Sequence, residues 1–103
     1  MSSARTKDDA HAAEHHRLKG LALLAKGDPE AAEASLQTAI DIAQKQSAKS
    51  WELRAATSLA RLWRDQGRQE EARNLLAPVY NWFTEGFGTP DLQAAKALLD
   101  ELS

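Results

Sequence analysis

The chain has 103 residues, of which 43% are hydrophobic and 27% charged, enough for one soluble domain with a modest core but short for an enzyme with an enclosed site. A formal net charge of -2 gives no electrostatic case for binding nucleic acid or an anionic membrane. Cysteine is absent, which excludes disulfides and thiolate metal sites.

Taken in order, residues 1–7 read as a polar tail and 8–103 as the folded part. The segment MSSARTKDDAHAAEHH lacks the apolar core of a signal peptide, and no apolar run approaches the roughly 20 residues that span a bilayer, so a cytoplasmic protein is expected. A first helix starts at Asp8 or Asp9, carries Leu18, Leu21, Leu24 and Ala25 on its apolar face, and stops at Gly27. Asp28 and Pro29 restart the chain as N-cap and first helical residue. The second helix places Ala32, Leu36, Ala39, Ile40 and Ala43 on one face. Ser47 or Ser50 is expected to cap the third helix, whose stripe is Leu53, Ala56, Leu59, Ala60 and Trp63. Gly67 ends it. Ala72, Leu75, Leu76, Val79, Tyr80 and Phe83 then line a fourth helix, in which Pro78 predicts a kink. Residues 85–88 form a loop, and Thr89-Pro90 opens a fifth helix with Leu92, Ala95, Leu98, Leu99 and Leu102 inward. The short links make antiparallel hairpins at 8–46 and 50–85, closed by a capping helix at 89–102.

The two hairpins are copies. An offset of 40 superimposes Gly27 on Gly67, Gly20 on Ala60, Leu23 on Trp63, Ala32 on Ala72, Leu36 on Leu76 and Ala39 on Val79. Small residues recur where helices must approach closely, and fixed-offset similarity of this length points to an all-α solenoid. At these positions the chain resembles a tetratricopeptide repeat: the small first-helix residue is Gly20 or Ala60, the inter-helix glycine is Gly27 or Gly67, and the second-helix alanine is Ala32 or Ala72. The usual tryptophan position instead holds His16 and Ala56, the closing proline is missing, and the offset exceeds the roughly 34 residues usual for the repeat. The resemblance implies antiparallel helical hairpins wound into a right-handed solenoid. The segments AEHHRLKG, GDPEAAEASLQTAIDIA, ELRAATSLARLW and LLAPVYNWFTEGFGTPDLQAAKALLDEL are similar to the C-terminal repeat region of large bacterial ATP-binding regulators, some of adenylate-cyclase type. That similarity implies a regulatory interaction region and carries no cyclase or ATPase activity into this chain.

Candidate sites follow from residue types at helical spacing. His11, Glu14 and His15 spell an inverted zinc-protease pattern, but a third ligand is lacking, and a solvated face with no metal and no cofactor is the expectation. Arg54, Arg61 and Arg68 recur every seven residues as a basic stripe that could receive an acidic peptide or a phosphate, with salt-bridging to neighbouring Glu52, Asp65, Glu70 and Glu71 as the commoner outcome. Trp82, Phe83, Phe87 and Tyr80 read as packing between the fourth and fifth helices, and Trp51 at a helix start as an interface anchor. No nucleophile–histidine spacing and no phosphate-loop motif occurs, so no catalytic residue is assigned.

The expected function is a non-catalytic protein-interaction module, regulatory in role, that binds a protein partner or itself as a homodimer. The reason is that repeat arrays usually need about three or more units to bury a continuous core, and here the first hairpin, with Leu21 and Leu24, has no upstream neighbour. A small-molecule or metal-responsive regulatory domain using His11 and His15, or a piece of a larger ATP-binding regulator, are the alternatives.

Overall fold

The computed structural model describes residues 2–83 and 89–102, with side chains from residue 11 onward. Its five helices are α1 (Ser2–Ala25), α2 (Pro29–Lys45), α3 (Lys49–Asp65), α4 (Gln69–Trp82) and α5 (Pro90–Leu102). Among the described residues there is no strand. Helix α1 starts at Ser2 instead of Asp8, and residues 2–7 contain neither glycine nor proline to break it. The loop expected at 85–88, with Phe87, lies outside the described residues.

Both proline signals hold. The Asp28 side chain accepts a hydrogen bond from the Ala31 amide at 3.3 Å, with Pro29 next in line as the first helical residue. Thr89 accepts from the Leu92 amide at 3.4 Å ahead of α5. Helix α4 continues through Pro78 to Trp82, and Pro78 is exposed, so the Asn74 carbonyl it leaves without a donor can be hydrated.

The three links within residues 26–68 are one device used three times. Gly27, Ser47 and Gly67 stand twenty residues apart in the left-handed region, with φ of 87°, 55° and 81°. Each donates its amide three residues back, to Leu24, Gln44 and Arg64, at 3.0 to 3.1 Å. The next residue in each link donates five back, to Leu23, Ala43 and Trp63, at 2.7 to 2.9 Å. This is the paired closure of a Schellman motif, which satisfies the last carbonyls of each helix. Ser47 therefore terminates α2, and neither Ser47 nor Ser50 caps α3: its N-cap is Ala48, which makes no side-chain cap bond. A non-glycine residue in this conformation costs about 1–2 kcal/mol. Glycine's greater freedom in the unfolded chain offsets roughly 0.5–1 kcal/mol of that. Ser47→Gly is accordingly expected to raise the thermal midpoint by a few degrees, followed by circular dichroism, and a lowered midpoint would show that Ser47 sits there without strain.

Successive helices pack as neighbours, and α3 also meets both α1 and α5, whereas the α2 and α4 backbones do not approach each other closely. Helices α1, α3 and α5 thus form one layer, termed the inner layer, and α2 and α4 the other. Helix α3 meets all four other helices and is buried almost all round, from Glu52 and Leu53 through Ala55–Ala60 to Leu62. The repeat-related positions Ala32 and Ala72, Leu36 and Leu76, Ala39 and Val79 are buried in both copies, as are Gly20 and Ala60. Glu52, nearly enclosed, accepts from the Gln44 amide at 3.1 Å and lies 3.4 Å from the Lys49 ammonium, which joins the end of α2 to the start of α3.

Helix α1 departs from its expected face. Leu18 is 51% exposed and Leu21 38% exposed, with Ala22 and Ala25 also on the surface. The inward positions are Ala13 and Gly20, flanked by half-buried Leu23 and Leu24. Rotation about the helix axis is set by Gly20, which must face Leu36 because any side chain there would collide with it. At about 100° per residue, Leu18 then falls roughly opposite the contact while Leu24 stays close to it. In the aromatic cluster, Tyr80 and Phe83 pack against the core, but Trp82 is 57% exposed, edge-on to Phe83 with the Lys49 ammonium 5.2 Å from its ring.

Candidate interaction groove

The predicted basic stripe divides. Gly67 ends α3 before Arg68, and Arg68 becomes the N-cap of α4, off the stripe. There its guanidinium lies 4.7 Å over the Trp63 ring, donates to Glu71 at 2.8 and 3.0 Å, and reaches Glu33 at 3.2 Å. Hydrogen bonding by Arg68 holds the Glu71 carboxyl below the usual carboxylate range. Arg64 bonds Asp65 and, at 2.6 Å, Glu101, tying α3 to α5. These residues form the salt-bridged surface.

Arg54 and Arg61 remain on the inner layer, seven residues apart on α3 and therefore roughly 10 Å apart along its axis. Arg17 of α1 joins them, and together with Thr57, Ser58, Asp91 and Ala94 they line a hollow of about 290 Å³. Arg17 is held by Glu14, one turn earlier, through two bonds of 2.9 and 2.5 Å. The same bonds keep the Glu14 carboxyl below the usual range, outweighing the opposing effect of partial burial, and the nearby guanidinium charges of Arg17 and Arg54 add to the lowering. A depressed carboxylate adds stability at neutral pH that fades as the pH falls through its folded-state pKa, so acid loosens this anchor. Arg54 donates to Asp91 at 3.0 Å, lies 3.9 Å from Glu14, and stacks 5.0 Å from the centre of the Trp51 ring. Trp51 is half-buried beneath this guanidinium.

Two groups in the hollow have no such commitment. Arg61 is exposed and makes no ion pair among the described residues. Ser58 is only 5% exposed, and among the described residues its side chain has no protein hydrogen bond, whereas the Thr57 hydroxyl beside it donates to the Leu53 carbonyl at 2.7 Å. The arrangement suits an anion: three guanidinium groups, the Ser58 hydroxyl and the first turn of α5 line one space.

The other sequence candidates lie elsewhere. His11 and His15 are exposed, and Glu14 is occupied by Arg17. Among the described residues no three His, Asp or Glu side chains are grouped to hold a metal ion. Leu21 is on the surface of α1 and Leu24 is partly covered by the core, so the two do not share one open face. Arg17, Ser58 and Asp91 were not singled out as binding residues, although the offset of 40 carries a signal: it superimposes Glu14 on Arg54, Arg17 on Thr57 and Leu21 on Arg61, one helical face in both copies.

A comparison with protein families matches residues 9–81 to the tetratricopeptide repeat. No curated protein and no solved structure matches the chain. Among the described residues no helix is long and apolar enough to cross a membrane. With five antiparallel helices, repeated small-residue contacts and a family match over most of its length, the chain belongs to the tetratricopeptide-repeat family.

Proposed function

We propose that this chain is a regulatory interaction module that receives an acidic segment of a partner protein along the inner layer of α1, α3 and α5, with residues 8–103 acting as one unit. Tetratricopeptide repeats are generally protein–protein interaction modules and typically non-catalytic. The observation that carries the acidic preference is Arg61, an uncommitted guanidinium beside the held forks of Arg17 and Arg54. A charge-assisted bond contributes about 1.5–3 kcal/mol, so one such contact decides whether a weak peptide is held. The similarity of several segments to the repeat region of bacterial ATP-binding regulators supports the regulatory role.

Fluorescence anisotropy with a labelled Glu/Asp-rich decapeptide tests the reading. Binding should weaken about tenfold in Arg61→Glu and fall with added salt, while a Lys-rich peptide should not bind. Equal binding of both peptides, or indifference to Arg61→Glu, would sink it.

A second reading, self-association, is favoured by the exposed Leu18 and Leu21 with Ala22 and Ala25 on one side of α1. Light scattering on a size-exclusion column, over a wide concentration range, should give a dimer that Leu18→Asp converts to monomer. A monomer at every concentration would remove this reading.

A further inference from the structure

Resting on the acidic-segment reading, we propose that the hollow among Arg17, Arg54, Ser58 and Arg61 is an anchor for one phosphomonoester, carried by a phosphorylated serine or threonine of the partner segment. The hollow, about 290 Å³, is at the small end of ligand sites, which run to roughly 1,000 Å³. It fits one charged head group on a larger molecule better than an entire small molecule.

The hollow gathers donors from more than one helix, as a tetrahedral anion with several acceptor oxygens can use. A carboxylate is planar and is satisfied by one guanidinium fork, as Glu14 is by Arg17. Here donors come from α1 through Arg17 and from two levels of α3 through Arg54 and Arg61, and the N-terminus of α5 adds its positive end beside Asp91. Between the two α3 arginines lies Ser58, a residue only 5% exposed, whose hydroxyl has no protein partner among the described residues and keeps some contact with solvent. Ser58 lines the hollow, where a phosphate oxygen would accept a hydrogen bond from its hydroxyl. The internal carboxylates also suit an exchangeable site. Glu14 and Asp91 bring two negative charges against three guanidinium groups, so the empty hollow keeps a net positive charge. Asp91 holds Arg54 in its stacked position over Trp51 and competes with an incoming anion for the same nitrogen atoms.

The test is calorimetric titration of the full chain with three otherwise identical acidic decapeptides carrying serine, glutamate or phosphoserine at one central position, and with inorganic phosphate. The phosphoserine peptide should bind about tenfold more tightly than the glutamate peptide, the gain expected from a further charge-assisted bond. Arg61→Gln should erase that difference, and Asp91→Asn should strengthen the phosphopeptide by removing its competitor. Circular dichroism confirms that both variants are folded; Arg61 is exposed and Asp91 partly so, so neither change should disturb the core. Equal affinity for glutamate and phosphoserine peptides would overturn the phosphate anchor while leaving the acidic groove intact. No binding by any peptide would overturn both. Inorganic phosphate binding as tightly as the phosphopeptide would overturn the partner segment as its source, in favour of a small phosphorylated ligand.

Discussion

Leu36→Ala is expected to destabilise the protein by about 2–5 kcal/mol, a large share of the roughly 5–15 kcal/mol that holds a domain folded. Leu36 is fully buried at the seam between α1 and α2, where it packs against Gly20. Removing its branched end leaves a void that the neighbouring alanines, Ala32 and Ala39, are too short to fill. Urea denaturation should show an earlier midpoint with an unchanged slope. A loss below about 1 kcal/mol would mean that the seam collapses onto the void and that Leu36 does not hold the first hairpin.

Gly20→Val should destabilise by the opposite fault. A Cβ at Gly20 would lie 2.8 Å from Leu36 Cγ, 3.0 Å from Leu36 Cδ2 and 3.2 Å from the Ala32 carbonyl oxygen. The carbonyl belongs to the α2 backbone and cannot swing away, so valine forces the two helices apart at a cost of about 1–3 kcal/mol. The favourable helix propensity gained on leaving glycine, at most about 1 kcal/mol, only partly offsets this. Because the new side chain and Leu36 compete for one volume, the double variant Gly20→Val/Leu36→Ala should lose less than the two single losses together, with a coupling of about 1 kcal/mol. Strict additivity in a urea double-mutant cycle would show that the two positions do not share the seam.

The parts legible in the sequence were those written in local chemistry. Asp28-Pro29 and Thr89-Pro90 begin helices through bonds made within three residues, and Gly27 and Gly67 end them because the left-handed turn favours glycine. The stripes of α2 and α4 pointed inward because each helix has a single wide apolar face. Helix α1 was misread because leucines surround more than half of its axis, and the choice among them was made by a close approach at Gly20 that only the folded hairpin reveals. Ser47 concealed the third left-handed link, since a serine carries no signal for that conformation. Arg68 fell out of its stripe because a seven-residue period holds only while the helix lasts, and Gly67 stops it. The hollow itself joins residues 17, 54, 61 and 91 from three helices, so its composition depends on packing that local spacing does not encode.

Amide shift mapping on the nitrogen-15-labelled chain, titrated with an acidic decapeptide, tests the groove most directly. Changes should concentrate at Arg17, Arg54, Thr57, Ser58, Arg61 and Asp91, and vanish with Arg61→Glu. Changes confined to the outer helices α2 and α4, or to the Leu18 and Leu21 side of α1, would contradict a binding face on α1, α3 and α5.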